Sequence, residues 1–264
     1  MRLKNKVVLI TGSYTGIGKA IAQMVVKEGG KVILNGLDHE LGMELVKELG
    51  TENALAITID ITTPDAPSLL IKKALEAYKK IDVLINNAAT IASSNLETTD
   101  STFLKNILEV NTIAPLAIIR AATEELSKSG GCVLNIGSIN AWGGEPDLLA
   151  YSISKGALMT LTRNLGDSLF REKGVRVNQI NPGWVLTDNE KNIKSQQGMK
   201  DDWYKELPSI FAPSKRLFKP EEIAAAACLL ISDDCGPLSA QIFDWEQFPM
   251  IGRNLPKTWN GSHN

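Results

Sequence analysis

The feature that most constrains the fold is a regular alternation of short apolar runs with longer amphipathic stretches. Helical patterns separate strand-like runs at residues 7–10, 31–35, 54–59, 81–85, 132–136, 175–180 and 241–245. Strands that alternate with helices predict a parallel sheet with right-handed crossovers and helices on both faces. The sequence shows no linker and no internal repeat, so we expect one doubly wound α/β domain over residues 1–264.

Composition argues against several classes of protein. A net charge of −2 over 264 residues gives no electrostatic footprint for nucleic acid, and no uninterrupted apolar run reaches the ~18 residues of a membrane span. The three cysteines are odd in number and scattered, which favours a reducing cytoplasm over disulfides. His39 and His263 lie far apart and no Cys/His cluster has metal-ligand spacing, so no metal site is predicted.

A glycine-rich turn joins the first strand to the first helix. Its residues are Thr11-Gly12-Ser13-Tyr14-Thr15-Gly16-Ile17-Gly18. Glycines permit a tight turn and a close approach of a pyrophosphate to the helix N-terminus, where free N–H groups and the helix dipole favour an anion. At the start of an alternating α/β chain this turn predicts dinucleotide binding, although an ordinary tight turn can have the same composition.

A tyrosine and a lysine stand four residues apart at the start of the helix that follows the fifth strand. Positions i and i+4 share a helix face, so the Tyr151 hydroxyl and the Lys155 ammonium can approach one site. A free tyrosine has a pKa near ~10, and a nearby cation lowers that pKa by favouring the phenolate. The pair is therefore a candidate general acid/base, while the same spacing is also common on solvated helix faces.

Four features, in this order, resemble the short-chain dehydrogenase/reductase family. They are the glycine turn, Asn86-Asn87-Ala88, Ser138 after the fifth strand and Tyr151-x-x-x-Lys155. Asn111 matches the helix asparagine of this family, and Asn181-Pro182-Gly183 with Thr187 matches its motif after the sixth strand. The resemblance covers about residues 5–245. It implies a Rossmann fold and an NAD(P)-dependent oxidoreductase that interconverts an alcohol and a carbonyl.

The resemblance also implies catalytic roles. Tyr151 would be the general acid or base, and Lys155 would lower the tyrosine pKa and bind the nicotinamide ribose. Ser138 would hold the reacting oxygen, and Asn111 would order a water that relays protons through Lys155. Taken alone, Ser138 would be a turn residue at a strand end, and Asn111 a helix-kink or capping residue.

The cofactor groove is implied in the same way. Asp60 and Ile61 would contact the adenine ring, and Thr187 would bond the carboxamide of the nicotinamide. The expected cofactor-binding residues are Gly12, Ser13, Thr15, Gly16, Ile17, Gly18, Asp38, Asp60, Ile61, Asn87, Ala88, Tyr151, Lys155, Pro182, Gly183 and Thr187.

Two departures from the family pattern affect cofactor choice and local geometry. NAD-preferring relatives carry an acid at the Gly36 position, and NADP-preferring ones a basic residue at Leu37 or Thr15, but this chain has neither. Asp38 could bind the ribose and would oppose a 2′-phosphate, which favours NAD over NADP, although Asp38 also suits a helix N-cap. The alternative is that His39 or Asn35 accepts a 2′-phosphate. Ala89 replaces a usual glycine, so a slightly different turn is expected there.

Residues 184–219 interrupt the alternation of strands and helices. Their embedded aromatic side chains favour a lid over the site rather than a disordered loop. The last strand also departs from the glycine-rich family pattern, and the tail, residues 246–264, is expected to pack over a surface or a partner subunit.

The substrate is the least constrained part of the prediction. Candidate contacts are Ser138, Trp142, Asp147 and Trp184. Aromatic faces with carboxylates suit a sugar, polyol or sugar acid, because carboxylates accept hydrogen bonds from several hydroxyl groups. A basic rim at residues 215–219 would suit an anionic acyl carrier, so a 3-oxoacyl thioester reductase is the alternative. A non-catalytic dinucleotide-binding regulator is the alternative of another class.

The family resemblance also implies assembly with copies of the same chain. We expect a homo-oligomer, a dimer or tetramer that pairs through the two long helices beside the fifth strand. The remaining expectations are a small-molecule substrate, NAD or NADP as cofactor, no nucleic-acid or membrane partner and a cytoplasmic location.

Overall fold

The computed structural model describes residues 1–249. Within this part the strands are β1 (Val7–Ile10), β2 (Lys31–Gly36), β3 (Ala54–Thr58), β4 (Val83–Asn86), β5 (Cys132–Ile136), β6 (Arg176–Pro182) and β7 (Ile242–Trp245). They form one sheet of order β3-β2-β1-β4-β5-β6-β7, and every neighbouring pair is parallel. The predicted doubly wound parallel sheet is confirmed.

The strand order reverses between β1 and β4, which lie side by side at the centre of the sheet. Val8 pairs with Val83 and Ile10 with Ile85, and every residue of both strands is buried. The chain continues from β1 to β2 on one side and from β4 to β5 on the other. In open α/β sheets such a switch point leaves a crevice at the carboxyl ends of the strands, where ligands bind.

The two faces of the sheet are covered by helices. In the described part these are α1 (Gly16–Lys27), α2 (His39–Leu49), α3 (Ala66–Tyr78), α4 (Ser101–Leu108), α5 (Ala114–Ser129), α6 (Asn140–Gly143), α7 (Leu149–Lys173), α8 (Asp188–Gln196) and α9 (Pro220–Ile231). Apolar side chains of α1, α2 and α9 pack in one core cluster, and those of α3, α5 and α7 in the other. On α5, Ile118, Ala122 and Leu126 recur every four residues and are fully buried, as an amphipathic helix requires.

Some boundaries differ from the predicted ones. α3 begins at Ala66 instead of Pro64, because Pro64 lies in a turn that the Ala66 amide closes on the carbonyl of Thr63 at 3.0 Å. β6 continues through Pro182, and the following amide, that of Gly183, donates to Trp245 O at 2.9 Å, which extends its pairing with β7.

Two further differences concern regions that were expected to be irregular. Residues 184–219 contain α8 and a 3₁₀ turn, Trp203–Lys205, in place of a wholly irregular insertion. Ala89 does not need a positive φ, so alanine fits where relatives carry glycine. Of the expected tail at residues 246–264, everything from Met250 onward lies outside the described residues.

The continuous helical stretch Ser101–Ser129 is long and apolar enough to be a candidate membrane span by length and composition alone. Its most apolar window has a mean hydropathy of 1.3, and 33% of that window is buried. Helices that pack against the sheet of an α/β domain pass the same test, and the buried side of α5 lies in such a core. This is weak evidence for a membrane, and the exposed apolar side of the stretch is also suited to contact with another protein surface.

Candidate active site

The carboxyl end of β5 brings the three predicted catalytic side chains together. Ser138 follows this strand directly, while Tyr151 and Lys155 lie one turn apart at the start of α7. Ser138 lies close enough to the Tyr151 phenol to lower its pKa, and the Lys155 ammonium donates to Ile136 O at 2.8 Å. All three side chains are buried. The Tyr151 hydroxyl, a candidate general acid/base, is thus held one helical turn from Lys155 at the edge of the sheet where ligands are expected.

Burial shifts the pKa values of the tyrosine and the lysine in opposite directions. Burial raises the pKa of Tyr151 to about 12; the hydrogen bond from Ser138 lowers it less, and the nearby Glu145 carboxylate raises it further. Burial lowers the pKa of Lys155 to about 8. Lys155 is not among the groups that shift the Tyr151 pKa in this arrangement, in which its ammonium bonds Ile136 O and stands 5.6 Å from the Tyr151 ring centroid. The expectation that Lys155 lowers the tyrosine pKa stays a prediction.

Asn111 lies in a π-helical turn, Glu109–Ile113, between α4 and α5. Its amide group bonds both the N–H and the C=O of Thr90, at 2.8 and 3.0 Å, and also donates to Ser154 Oγ at 2.9 Å. Ser154 in turn donates to Tyr151 O at 2.7 Å. Asn111 therefore fixes the loop after β4 against the Tyr151 helix, and the wide π turn is a feature common at functional sites.

The glycine turn packs tightly on the loop after β4. A Cβ atom on Gly12 would stand 2.7 Å from Ala88 Cα, and one on Gly18 would stand 2.4 Å from Gly12 O. Asn87 Nδ2 donates to Gly12 O at 2.7 Å. Larger residues at 12 and 18 would push these backbones apart, so the glycines are explained by close approach of main chain to main chain.

The N-terminus of α1 fits the pyrophosphate of a dinucleotide. Thr15 precedes the helix in extended conformation, and its side chain makes no capping hydrogen bond, so the first-turn amides are not capped by it. The first turn also carries no acidic residue. Gly16, at φ +55°, faces Thr187, whose Cγ2 would lie 3.5 Å from a Cβ at that position. Free amides and the helix dipole favour an anion in this groove.

Three predicted cofactor residues are also used in local structure. Ser13 is buried, and its hydroxyl accepts from the Asn35 amide at 3.0 Å. Asp38 caps α2 by accepting from Leu41 N at 3.1 Å, and Asp60 accepts from Thr62 N at 2.9 Å. In both carboxylates these bonds go to Oδ1, so an oxygen remains for a ligand.

The remaining predicted cofactor residues lie around the same crevice. Ile17 is half-buried against the first core cluster, and Ile61 is buried in the second. Pro182 and Gly183 end β6 beside β7. Thr187 Oγ1 caps α8 by accepting from Glu190 N at 3.1 Å, which leaves its hydroxyl proton for donation.

Tyr14 is a residue whose position sequence reasoning missed. Its ring is buried, and a Cβ on Gly36 would stand 2.3 Å from its Cδ2 atom. Its hydroxyl lies 3.3 Å from Thr58 Oγ1. Tyr14 thus fills the space beside the end of β2 where NAD-preferring relatives place an acid, and this explains why Gly36 carries no side chain.

The two ends of residues 184–219 are joined by a hydrogen bond, in which Leu186 N donates to Phe218 O at 2.8 Å. The ring of Trp184 stacks on that of Trp203 with centroids 5.1 Å apart, and its indole N–H donates to Glu190 Oε1 at 2.8 Å. The indole N–H and one face of Trp184, a substrate candidate for its aromatic ring, are therefore engaged inside this segment.

The other two substrate candidates lie between Ser138 and Tyr151. Trp142, on α6, donates its indole N–H to Asp244 Oδ1 at 2.8 Å, and the Arg163 guanidinium carbon lies 5.1 Å from its ring centroid. The side chain of Asp147 is exposed. Asp244, on β7, was not expected at the site, and its distance along the chain from Trp142 explains why.

Glu246 is a second carboxylate that the sequence did not place. Its Oε2 atom would lie 2.3 Å from a Cβ on Gly183, so the carboxylate sits against the glycine that the family resemblance puts beside the nicotinamide. Among residues 1–249, no group of three or more His, Cys, Asp and Glu side chains could hold a metal ion.

Comparison with known proteins identifies the family. A family model described as enoyl-(acyl carrier protein) reductase matches residues 12–245. Glucose 1-dehydrogenase 2 of Bacillus subtilis is 32% identical over 246 residues, which cover 88% of this chain and 90% of the relative. The chain belongs to the short-chain dehydrogenase/reductase family.

Two solved structures of short-chain dehydrogenase/reductase proteins have the same fold. L-Sorbose reductase from Gluconobacter frateurii, in complex with NADPH and L-sorbose, matches with a TM-score of 0.88 at 24% identity, over 96% of this chain and 100% of that chain. 3-Ketoacyl-(acyl-carrier-protein) reductase from Brucella melitensis, in complex with NADH, matches with a TM-score of 0.80 at 26% identity, over 92% and 97%.

As a short-chain dehydrogenase/reductase, the chain is an NAD(P)-dependent oxidoreductase acting on alcohols or carbonyls. This confirms the expectation of an enzyme over that of a non-catalytic dinucleotide-binding regulator. The groove between α1 and Thr187 fits the dinucleotide by its donors and its space.

Proposed function

We propose that this enzyme interconverts a hydroxyl and a carbonyl group on a sugar, polyol or sugar acid, with Tyr151 as the general acid/base. The observation that carries the mechanism is the placement of Ser138 close enough to the Tyr151 phenol to lower its pKa, with Lys155 one helical turn away. The bound nicotinamide supplies or takes the hydride. The chain's own residues hold the reacting oxygen and move its proton.

Each catalytic side chain has a defined task in this proposal. Ser138 donates to the reacting oxygen and aligns it with the Tyr151 hydroxyl. Tyr151 has a pKa of about 12, so at neutral pH it is protonated and suited to give a proton to a carbonyl being reduced. Lys155 binds the nicotinamide ribose and supplies positive charge beside the phenolate that forms. Asn111 keeps the π turn and the Thr90 loop in place and orders the water of a proton relay.

Carboxylates around the site support the sugar class. Glu145 is close enough to raise the Tyr151 pKa, and Glu246 lies against Gly183. Ionised carboxylates accept hydrogen bonds from hydroxyl groups, and Trp142 and Asp147 add an aromatic face and an acid between Ser138 and Tyr151. The relative named as a glucose dehydrogenase, at 32% identity, supports the same class.

A 3-oxoacyl thioester reductase is the second candidate. It is favoured by the ketoacyl reductase structure, and the description of the matching family model shares with it only the acyl carrier protein. The basic rim that would receive an acyl carrier is weakened, because Arg216 forms two hydrogen bonds to Glu222, at 2.8 and 2.7 Å. Paired charges attract a distant anionic partner less than free ones, so we place this substrate second.

For the cofactor we propose a preference for NAD over NADP. No basic residue replaces Leu37 or Thr15, and the Asp38 carboxylate keeps an oxygen for a ribose hydroxyl. Its negative charge opposes a 2′-phosphate. Tyr14 fills the space next to Gly36, so no acidic side chain fits at that position. Asp38 is the nearest acidic residue in the sequence that could bind the ribose hydroxyls instead.

We also propose a homo-oligomer, most specifically a homotetramer, in the cytoplasm. Leu116 on α5 and Ile153 and Phe170 on α7 are large apolar side chains exposed on the two helices expected to pair. All three cysteines are free, which suits a reducing compartment. Sedimentation of the purified chain as a monomer at micromolar concentration would contradict the assembly.

The function is tested by following nicotinamide absorbance with a panel of sugars, polyols, aldonates and 3-oxoacyl thioesters, each with NAD and NADP. Tyr151→Phe is the matched control, since it removes only the hydroxyl. We expect turnover of at least one polyhydroxy compound, faster with NAD and lowered about 10²- to 10⁴-fold in the control. Turnover of thioesters alone would replace the proposed substrate class with the second one.

A further inference from the structure

A continuous chain of buried polar side chains crosses the sheet toward the active site. Asn86 on β4 donates to Asn135 Oδ1 on β5, and Asn135 donates to Thr162 Oγ1 on α7, both at 2.8 Å. Thr162 Oγ1 lies 2.8 Å from Gln179 Oε1 on β6, and Gln179 donates to Asn181 Oδ1 at 2.7 Å. These side chains are almost completely buried. Among the described residues Asn86 Oδ1 has no hydrogen-bond partner, whereas the side-chain atoms that link Asn135 to Asn181 are all bonded. Buried hydrogen bonds of this kind favour one geometry.

This network of hydrogen-bonded side chains branches at Asn181. Its Oδ1 atom accepts from the Ser138 amide at 3.2 Å, so it fixes the backbone of a proposed catalytic residue. Its Nδ2 atom donates to Asp244 Oδ1 at 2.9 Å. Gly137 leaves room for this oxygen, because a Cβ at that position would stand 2.1 Å from Asn181 Oδ1.

Asp244 joins the second branch to the segment between Ser138 and Tyr151. The same oxygen that accepts from Asn181 also accepts from the Trp142 indole N–H at 2.8 Å. Asp244 itself is exposed, while Asn181 is fully buried. One carboxylate oxygen therefore connects the rigid centre of the sheet to the aromatic side chain that overlies α7.

We propose that Asp244 is a positioning residue for substrate, which holds Trp142 and α6 in register with Ser138. The inference rests on the proposed function, since it concerns the segment expected to contact the substrate. Trp142 is the only residue of α6 among the proposed substrate contacts, and the Asp244 bond fixes its ring over Arg163. Without that acceptor the indole N–H loses its partner, and the segment between Ser138 and Tyr151 is held to the rest of the molecule by the bonds of Ile139 to Pro182 and of Asp147 and Leu149 to Ser94, which lie at its two ends.

The chain offers a close pair of variants for testing this role. Asp244→Asn keeps an oxygen that can accept from both Trp142 and Asn181, while Asp244→Leu removes it. We expect Asp244→Leu to lower kcat/KM by about 10- to 100-fold, the size expected of a misplaced substrate-positioning group, and Asp244→Asn to restore most of it. The dinucleotide dissociation constant should stay unchanged in both. Asp234→Leu, an exposed aspartate on a different turn, controls for the loss of a charge.

Trp142→Phe removes the other partner of the same bond. If the bond to Trp142 is what matters, the double variant is no worse than Asp244→Leu alone, because Asp244→Leu already breaks the bond that Trp142→Phe removes. Losses in kcat/KM that multiply, or an Asp244→Leu enzyme as active as the parent, would overturn the proposal.

Hydrogen exchange separates this inference from the proposed function. Amides of residues 139–147 should exchange faster in Asp244→Leu than in the parent or in Asp244→Asn, while amides of β4 and β5 stay protected. This readout needs no substrate, so failure to find a polyhydroxy substrate leaves it intact. Equal exchange of residues 139–147 in all three proteins would overturn the positioning role whatever the substrate is.

Discussion

The Lys155 ammonium donates to the carbonyl oxygen of Ile136 at 2.8 Å, and this bond keeps it 5.6 Å from the centroid of the Tyr151 ring. Among the described residues this carbonyl is the only acceptor within hydrogen-bond distance of the lysine nitrogen that the structure gives. Burial accordingly lowers the pKa of Lys155 to about 8 and raises that of Tyr151 to about 12. The lysine is thus the group that begins to lose its proton just above neutral pH.

The first prediction concerns stability and pH. Lys155 has a pKa of about 8 in the folded chain against 10.5 for an ordinary lysine. Between these two pKa values the unfolded chain binds more protons than the native one, so the free energy of unfolding rises with pH over this range. This gain is present in full above 10.5 and is lost as the pH falls to about 8. Lys155→Met removes this dependence, so the parent should gain stability relative to the variant, by about 3 kcal/mol at most, as the pH rises from about 8 to 10.5.

Urea unfolding of the two proteins at several pH values measures this difference. Lys72→Met, on the exposed side of α3, is the control, and its stability should stay parallel to that of the parent. A constant difference between Lys155→Met and the parent across the range would show that burial does not lower the lysine pKa.

The fold could be predicted from the sequence because its signals are local. The apolar runs of β1 and β4 and the four-residue spacing on α5 each fall within a few residues of one another. Boundaries were less certain where a turn competes with a helix, as at Pro64. The π turn at Asn111 has no periodic signal in the sequence, since it arises from one extra residue in a helix that is continuous on both sides.

The site could be predicted only where residues lie close together in sequence or match a known motif. Tyr151 and Lys155 are one turn apart, but Trp142 and Asp244 are 102 positions apart and meet because β6 and β7 pair beside β5. Tyr14 meets Gly36 for a similar reason, through the pairing of β1 with β2. Such contacts depend on the strand order, which periodicity does not give.

The second prediction tests the close packing of the glycine turn. A methyl group on Gly18 would stand 2.4 Å from Gly12 O and 2.8 Å from Ser13 Cα, which are backbone atoms that cannot turn away. Gly18→Ala should lower the free energy of unfolding by about 1–3 kcal/mol and weaken NAD binding by at least about tenfold. Gly143→Ala, where no atom lies within 4 Å of the added methyl, should change neither. Thermal unfolding and dinucleotide titration measure the two effects, and a Gly18→Ala protein like the parent in both would contradict the packing argument.

The third prediction concerns Tyr14 and Gly36. Gly36→Ala puts its methyl group 2.3 Å from the Tyr14 ring, so it should destabilise the fold by about 1–3 kcal/mol. Tyr14→Ala also costs stability, because it removes a buried ring. In the double variant the clash is absent, so the two costs should not add. A double-mutant cycle by urea unfolding measures the coupling; strict additivity would mean that the Tyr14 ring does not limit residue 36.

The last prediction tests the central residue, Thr162, of the buried network of polar side chains. Thr162 is fully buried, and its hydroxyl accepts from Asn135 at 2.8 Å and lies 2.8 Å from Gln179 Oε1. Thr162→Val keeps the shape but leaves the Asn135 amide without an acceptor, so unfolding should become easier by about 1–3 kcal/mol. Thr123→Val on α5 is the matched control: its hydroxyl donates only to Ile119 O one turn back, a carbonyl inside a helix, so its loss should cost about 0.5 kcal/mol or less. Equal losses for the two variants in urea unfolding would show that the hydrogen-bonded side chains across the sheet add nothing to stability. That result would contradict the proposal that they hold Asn181 and Ser138 in place.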